Sequence, residues 1–255
     1  MKGAVLGANW SLSCGAMSQA VVPATGLPSP SLRPLLPALA SAALVAVACN
    51  ETDVAGVSPL PTDAAVRVVN ATQSPLDVLV DGAVALRGLP VASVSEKLPV
   101  AAGARVVQLR TGTGATVELS VAAVTGQALT AAAVAGATGA LAAQVLADTG
   151  AIVPAGKSKL RVSHLAASGA SAVEIFRTQP DFQTPVRIMT PFAYRETSPY
   201  LQSDPGTWEV FVAPAGSSGS PKVATTGPVV VPSGERRTVV LLDSAGVLRF
   251  RVIQE

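Results

Sequence analysis

The chain has 255 residues, of which 49% are hydrophobic and 13% charged, with 22 glycines, 20 prolines and a formal net charge of +2. That charge comes from Lys2 and Arg33, so the 207 residues from Cys49 onward balance 16 basic against 16 acidic side chains. A neutral body without a basic stripe argues against nucleic acid as a partner, and glycine and proline spaced along a charge-poor chain favour short strands joined by turns.

The first informative stretch is Leu35–Cys49. It runs for 14 uncharged residues to Ala48, follows Arg33, and ends in small side chains, the pattern of a secretory signal peptide. A helix needs about 20 apolar residues to span a bilayer, so a permanent span is not expected. The exit Val45-Ala46-Val47-Ala48-Cys49 resembles the lipobox of bacterial lipoproteins. The resemblance implies cleavage between Ala48 and Cys49 and acylation of the cysteine with palmitate-type chains. Ala46 stands where that family usually has leucine. Plain secretion, with Cys49 left as a chance cysteine, is the alternative. Cysteine usage agrees with acylation: only Cys14 and Cys49 are present, and cleavage leaves one thiol that cannot form an internal disulfide.

Residues 1–30 lie ahead of the basic residue that should open such a leader. They suggest a start placed too far upstream, with translation beginning at Met17 or near Leu32, or else a long leader. Residues 49–63, with Gly56, Pro59 and Pro61, read as a flexible tether reaching about 45 Å when extended.

After the tether the chain repeats itself. Val66-Arg67-Val68-Val69-Asn70 matches Leu160-Arg161-Val162-Ser163-His164, and Leu76–Val80 matches Val173–Arg177. Arg105–Leu109 matches Trp208–Val212, and Thr125-Gly126-Gln127 matches Ser233-Gly234-Glu235. The offset grows from 94 to 108, so the second copy is longer, mainly around residues 178–185 and 215–221. The boundaries expected are 64–156 and 157–255. Asp81-Gly82 signals a tight hairpin. Trp208–Val212 and Leu248–Val252 alternate with period two, so each copy reads as seven or eight strands. Ala128–Ala147 is rich in alanine, the best helix former, but its counterpart Arg236–Ile253 is strand-like, and strand is expected there too. Every aromatic residue after the leader lies in the second copy.

These motifs, with the late Pro-Gly-Thr-Trp-Glu-Val at 205–210, resemble a bacterial family known as domain of unknown function 4397. Asn70 stands in place of its histidine in the first copy, and the Asp-Gly turn is missing from the second. The resemblance covers 64–255. It implies exported or lipidated surface proteins, commonly with two units of immunoglobulin-like or transthyretin-like sandwich, and it brings no catalytic residues. The expected fold class is therefore all-β: two tandem antiparallel β-sandwich domains behind a signal peptide and a tether.

Little chemistry is in view. His164 is the only histidine, which excludes multi-histidine metal sites and makes a structural role the better reading. Gly112-Thr113-Gly114 lacks the Gly-Lys-Ser/Thr of a phosphate loop and reads as a hairpin. Asp77 and Asp81 lack calcium-loop spacing, and Glu174, Glu196 and Glu209 are scattered. No metal or cofactor is expected. Gln179–Tyr200 is the one stretch suited to binding, through Phe182, Phe192, Tyr194, Arg195 and Tyr200, although filling the core is the duller use of those rings. The expectation is a non-catalytic cell-envelope lipoprotein, on the periplasmic or cell-surface side of a membrane, with a protein or carbohydrate ligand. Its rivals are an exported hydrolase with His164 as base and a scaffold subunit of an envelope complex.

Overall fold

The computed structural model describes residues 63–255 apart from 137, 148–151 and 169–171. The leader, the lipobox and the tether lie outside the described residues. The first nine strands are β1 (Asp63–Asn70), β2 (Leu76–Val80), β3 (Ala83–Leu89), β4 (Ser93–Val94), β5 (Leu98–Ala101), β6 (Gly103–Thr111), β7 (Thr116–Ala123), β8 (Ala128–Ala135) and β9 (Leu141–Leu146). The next nine are β10 (Ser158–His164), β11 (Val173–Thr178), β12 (Val186–Phe192), β13 (Leu201–Ser203), β14 (Gly206–Pro214), β15 (Ala224–Thr225), β16 (Val229–Val231), β17 (Arg236–Ser244) and β18 (Val247–Gln254). A single 3-10 turn, Pro180–Phe182, is the only helical element among the described residues.

Four sheets result. The first sandwich pairs an outer sheet, β3-β2-β6-β7, with an inner sheet, β4-β1-β8-β9, in which β5 also pairs with β1. The second repeats that order: an outer sheet β12-β11-β14-β15, with β16 also on β14, and an inner sheet β13-β10-β17-β18. One core fills each sandwich, the first around Val66, Val68, Leu76, Val78, Val107 and Leu109, the second around Leu160, Val162, Ile175, Phe192, Val210 and Val212. The all-β expectation is met, with nine strands per sandwich rather than seven or eight. The inner sheets are mixed rather than purely antiparallel, because β1 runs parallel to β8 and β10 parallel to β17. Six strands intervene, four of them in the opposite sheet (β2, β3, β6 and β7), before β8 returns beside β1, which is the long crossover that a parallel pair requires.

A third core joins the sandwiches. Val69, Ala71, Ala132, Val134 and Leu146 of the first pack on Leu165, Val240, Leu242 and Ile253 of the second. The central strands of both inner sheets, β1, β8, β10 and β17, are therefore buried on both faces. This explains the alanines of β8: five consecutive residues, Thr130–Val134, are buried there, and small side chains let two packed layers approach from opposite sides. The uninterrupted burial of β17 from Arg237 to Asp243 has the same cause. Tertiary packing overrides the helical propensity of alanine.

The polar contacts of this seam come in matched pairs. Arg67 Nη2 donates to Gln254 O at 3.0 Å, and Arg161 Nη1 donates to Ala147 O at 2.6 Å. Arg251 Nε donates to Ala92 O at 3.0 Å, and Gln144 Nε2 donates to Arg195 O at 3.5 Å. In the strand registers Arg67 corresponds to Arg161 and Gln144 to Arg251, and Ala92 to Arg195, each two residues before the partner of Val69 or Ser163. The two sandwiches thus meet as the halves of an isologous pair. Ala92 and Arg195 also share a left-handed backbone, with φ of 51° and 71°.

Serines complete the inner sheets. Ser95 falls between β4 and β5, where β1 has no strand partner, and its Oγ accepts the Val68 N–H at 2.9 Å. Ser198 does the same for Val162 at 3.0 Å, so neither buried amide is orphaned.

Substituting Ala132→Leu, on the seam side of β8, should lower unfolding stability by about 2 kcal/mol through overpacking, measured by urea denaturation. An unchanged midpoint would show that the seam is loosely packed.

Candidate functional site

What distinguishes the second sandwich is the exposed side of its outer sheet. Alternation along β11 and β14 sends Glu174, Phe176 and Thr178, with Glu209, Phe211 and Ala213, away from the core. Phe176 and Phe211 are direct cross-strand partners and stack at 4.9 Å with an interplanar angle of 6°. Two loops cover them, and they are the two segments in which the second copy is longer. From the 3-10 turn, Phe182 meets Phe211 edge-on at 5.5 Å. From the other loop, Lys222 Nζ sits 3.9 Å above the Phe182 ring, and Arg187 of β12 lies 5.5 Å over Phe176. Partly buried cation–aromatic contacts of this kind contribute about 0.5–2 kcal/mol each.

Both loops are tied to the sheet by polar contacts. Glu174 Oε1 accepts the Gly216 N–H at 3.2 Å and lies 3.7 Å from Arg187. Thr178 Oγ1 accepts the Thr184 N–H at 3.3 Å. Gly219, at φ +90°, passes so close that a Cβ there would stand 3.3 Å from the Phe176 ring. Asp181, Phe182 and Ser218 have φ of 62°, 54° and 56°. Left-handed backbone at such residues persists only where the surroundings enforce it, and it concentrates at functional loops.

The equivalent side of the first sandwich is polar. Asp77 pairs with Arg110 at 3.0 Å, Asp81 with Arg105 at 3.0 Å, and Gln108 Nε2 donates to Glu118 at 2.9 Å. The backbone N–H of Gly88 and then Arg110 hold the Asp77 carboxyl below the ordinary aspartate range, while Val106 N–H and Arg105 do so for Asp81.

The five side chains singled out from the sequence do not share one surface. Phe182 belongs to the looped face. Phe192 is fully buried in the second core, so it presents nothing to a ligand. Tyr194 and Arg195 serve the seam, the first donating from its hydroxyl to Ala135 O at 3.0 Å and the second from Nε to Gln144 at 3.0 Å. Burial, outweighing the contact with Ala135, pushes the Tyr194 phenol up. Tyr200 lies under two guanidinium groups, Arg161 at 4.5 Å and Arg236 at 5.8 Å. The rings the sequence reading passed over, Phe176 and Phe211, become visible on placing Leu79 against Phe176 and Gln108 against Phe211 in the repeat. Cys49 and Ala48 lie outside the described residues.

His164 is fully buried between Phe192 and Tyr194, at 6.1 Å from each ring. Its Nδ1 accepts the Ala166 N–H at 3.4 Å, holding the crossover from β10 toward β11. Asn70 holds the matching crossover: its Nδ2 donates to Ser74 O and Leu89 O, and its Oδ1 accepts the Thr72 N–H. The position needs a buried hydrogen-bonding group at a strand end, and either residue type supplies one. A cleft of about 250 Å³ lies beside that Asn70 turn. It is lined by Thr72, Gln73, Ser74, Thr111 and Thr113 among small apolar residues, without a titratable side chain.

Residues 64–176 match the family described as "Domain of unknown function (DUF4397)". The DUF4397 match takes in the whole first sandwich and ends within β11. None of the curated proteins matches the sequence. Among solved structures, the C-terminal domain of AlgF from P. aeruginosa is 20% identical with a TM-score of 0.30, over 39% of this chain and 99% of that one. A candidate cell adhesion protein from Bacteroides fragilis is 13% identical with a TM-score of 0.22, over 72% and 84%. Another from Bacteroides uniformis is 8% identical with a TM-score of 0.24, over 77% and 98%. No helix among the described residues is long and apolar enough to cross a membrane.

Truncating Phe182→Ala should free the 178–185 loop from the Phe211 ring and from Lys222. The expected result is faster limited proteolysis within that loop, with the midpoint of global unfolding lowered by no more than about 1 kcal/mol in stability. Unchanged cleavage would show that the rings do not hold the loop.

Proposed function

We propose that the chain is a non-catalytic binding or structural module of the bacterial cell envelope, held to a membrane by acyl chains on Cys49. In this reading the tether carries the two sandwiches clear of the lipid surface. The looped face of the second sandwich meets a protein or carbohydrate ligand. Loops on a rigid sandwich are where binding is usually placed, and these two are the parts that make the second sandwich unlike the first.

The observation that carries the non-catalytic reading is the burial of the chemistry-bearing side chains. His164, Asp243, Glu174 and Glu209 are all buried. Asp243 accepts from Gln73 Nε2 at 2.7 Å and from Ser168 N–H at 2.8 Å, and so ties the two sandwiches together. A hydrolase using His164 as base would need that imidazole within reach of substrate, and its Nδ1 is occupied by a backbone amide. The envelope placement is supported by the leader pattern ending at Ala48-Cys49. Dual or triple acylation would give the several membrane signals that stable anchoring takes.

Cell fractionation with palmitate labelling tests the anchor. The wild-type chain should be labelled and membrane-bound, whereas Cys49→Ser should lose the label and leave the membrane fraction. A Cys49→Ser chain that stays labelled and membrane-bound would contradict the proposal.

A further inference from the structure

The sheet edges of the molecule are not equally protected. β3 and β12 carry register shifts against their partners, and β12 contains Pro191. β4, β13, β15 and β16 have two or three residues each. β18 carries exposed Arg249 and Arg251. β9 has six residues and is engaged through Gln144 with the second sandwich. Bulges, brevity, proline and charge are the devices that keep an edge from pairing with another strand. β7 has only one of them, a lone charge. It is eight residues long, free of proline, continuous in register with β6 from Thr116 to Ala123, and carries the single charge of Glu118. Among the described residues it pairs with β6 alone.

The hydrogen-bonding parity of this edge is fixed. Thr111 N–H donates to Ala115 O at 2.9 Å at the start of the hairpin. In that register Val117, Leu119 and Val121 face Leu109, Val107 and Arg105 in bonded pairs. The N–H and C=O groups of Thr116, Glu118, Ser120 and Ala122 therefore point outward, away from β6. The same four side chains are exposed, while Val117 and Leu119 pack on the first core and stay half-buried at its open rim.

We infer that β7 is a self-association edge. A second copy of this chain lays its own β7 antiparallel along it, about a two-fold axis at Leu119, and joins the two outer sheets of the first sandwiches into one. The sequence of the strand favours a second copy as the occupant. With the axis at Leu119, Glu118 lies opposite Ser120 and Thr116 opposite Ala122, and these even-numbered pairs are the ones whose backbone groups are free. On the core side Val117 meets Val121 and Leu119 meets its own counterpart, so the half-buried rim becomes a continuous apolar row. No two like charges oppose each other. A chain confined to a membrane surface gains effective concentration, so a weak edge contact suffices.

The test is sedimentation equilibrium of the full chain in a Cys49→Ser background, up to about 100 µM, a range that detects weak dimers. The unaltered β7 should show a concentration-dependent dimer. Ser120→Glu sets two acidic pairs across the axis and should weaken it about fivefold, whereas Ser120→Lys faces Glu118 and should strengthen it by a similar factor at low salt. Ser120→Pro removes an outward N–H without touching the β6–β7 bonds and should abolish the dimer. Position 120 is exposed, so the opposite signs for Glu and Lys decide the matter even if the proline variant folds poorly. A monomer throughout the range, or equal association in the Glu and Lys variants, would overturn the inference.

Discussion

The constraint on which the rest of the structure depends is that the central strands of the two inner sheets, β1, β8, β10 and β17, are buried on both faces. Each lies between its own sandwich core and the seam shared with the other sandwich. An ordinary sandwich strand needs apolar residues at alternate positions only. Here β8 and β17 must avoid exposed-type side chains at every central position, and they do so differently. β8 runs through Ala131, Ala132 and Ala133, and β17 through Val239, Val240, Leu241 and Leu242. Arg67 and Arg161 are the informative exceptions. Their neighbours at alternate positions face the core, so both guanidinium groups point into the seam, where each reaches a carbonyl of the opposite sandwich. Arg161 also meets Glu255 at 3.4 Å, with both side chains almost wholly buried. Such a pair is costly to desolvate and costlier to break, so it holds Arg161 within the second sandwich in the orientation from which it reaches Ala147 O across the seam.

Because the inner sheets are held in common, the outer sheets were free to diverge. On the first sandwich the outer face is a wet lattice of ion pairs through Asp77, Arg110, Asp81 and Arg105. On the second, the positions equivalent to Asp77, Leu79, Val106 and Gln108 hold Glu174, Phe176, Glu209 and Phe211, closed over by two extra loops. The seam also explains what Tyr194 and the exposed Arg195 are engaged with. They sit on the β12–β13 connection, and its counterpart in the first sandwich, around Ala92, makes the reciprocal contact. The matched pairs across the seam follow from placing one strand order against itself about an approximate two-fold axis.

Much of the fold was legible in the sequence. Asp81-Gly82 forms the tight turn its composition demands, with φ of 49° and 81°. Alternation marked β14 and β18, and the alignment of Ala128–Ala147 with Arg236–Ile253 identified strands where alanine content alone suggested helix. The longer segments at 178–185 and 215–221 are the loops that cover the second outer face. The seam was not legible, because periodicity reports one buried face, and a strand buried on both looks like an uninterrupted apolar run with no stated partner. The same gap misplaced the aromatic residues. Phe192 lies at the end of β12 and turns inward, while Phe176 and Phe211 look like core residues until their outward parity is worked out from cross-strand register.

Amide hydrogen exchange on β8 and β17 tests most directly whether the two sandwiches are one cooperative body. The account predicts that amides of Ala131–Val134 and Val239–Leu242 are the slowest in the protein and share one opening free energy, equal to that of global unfolding. Two separate values, with one set of strands opening while the other stays protected, would contradict it.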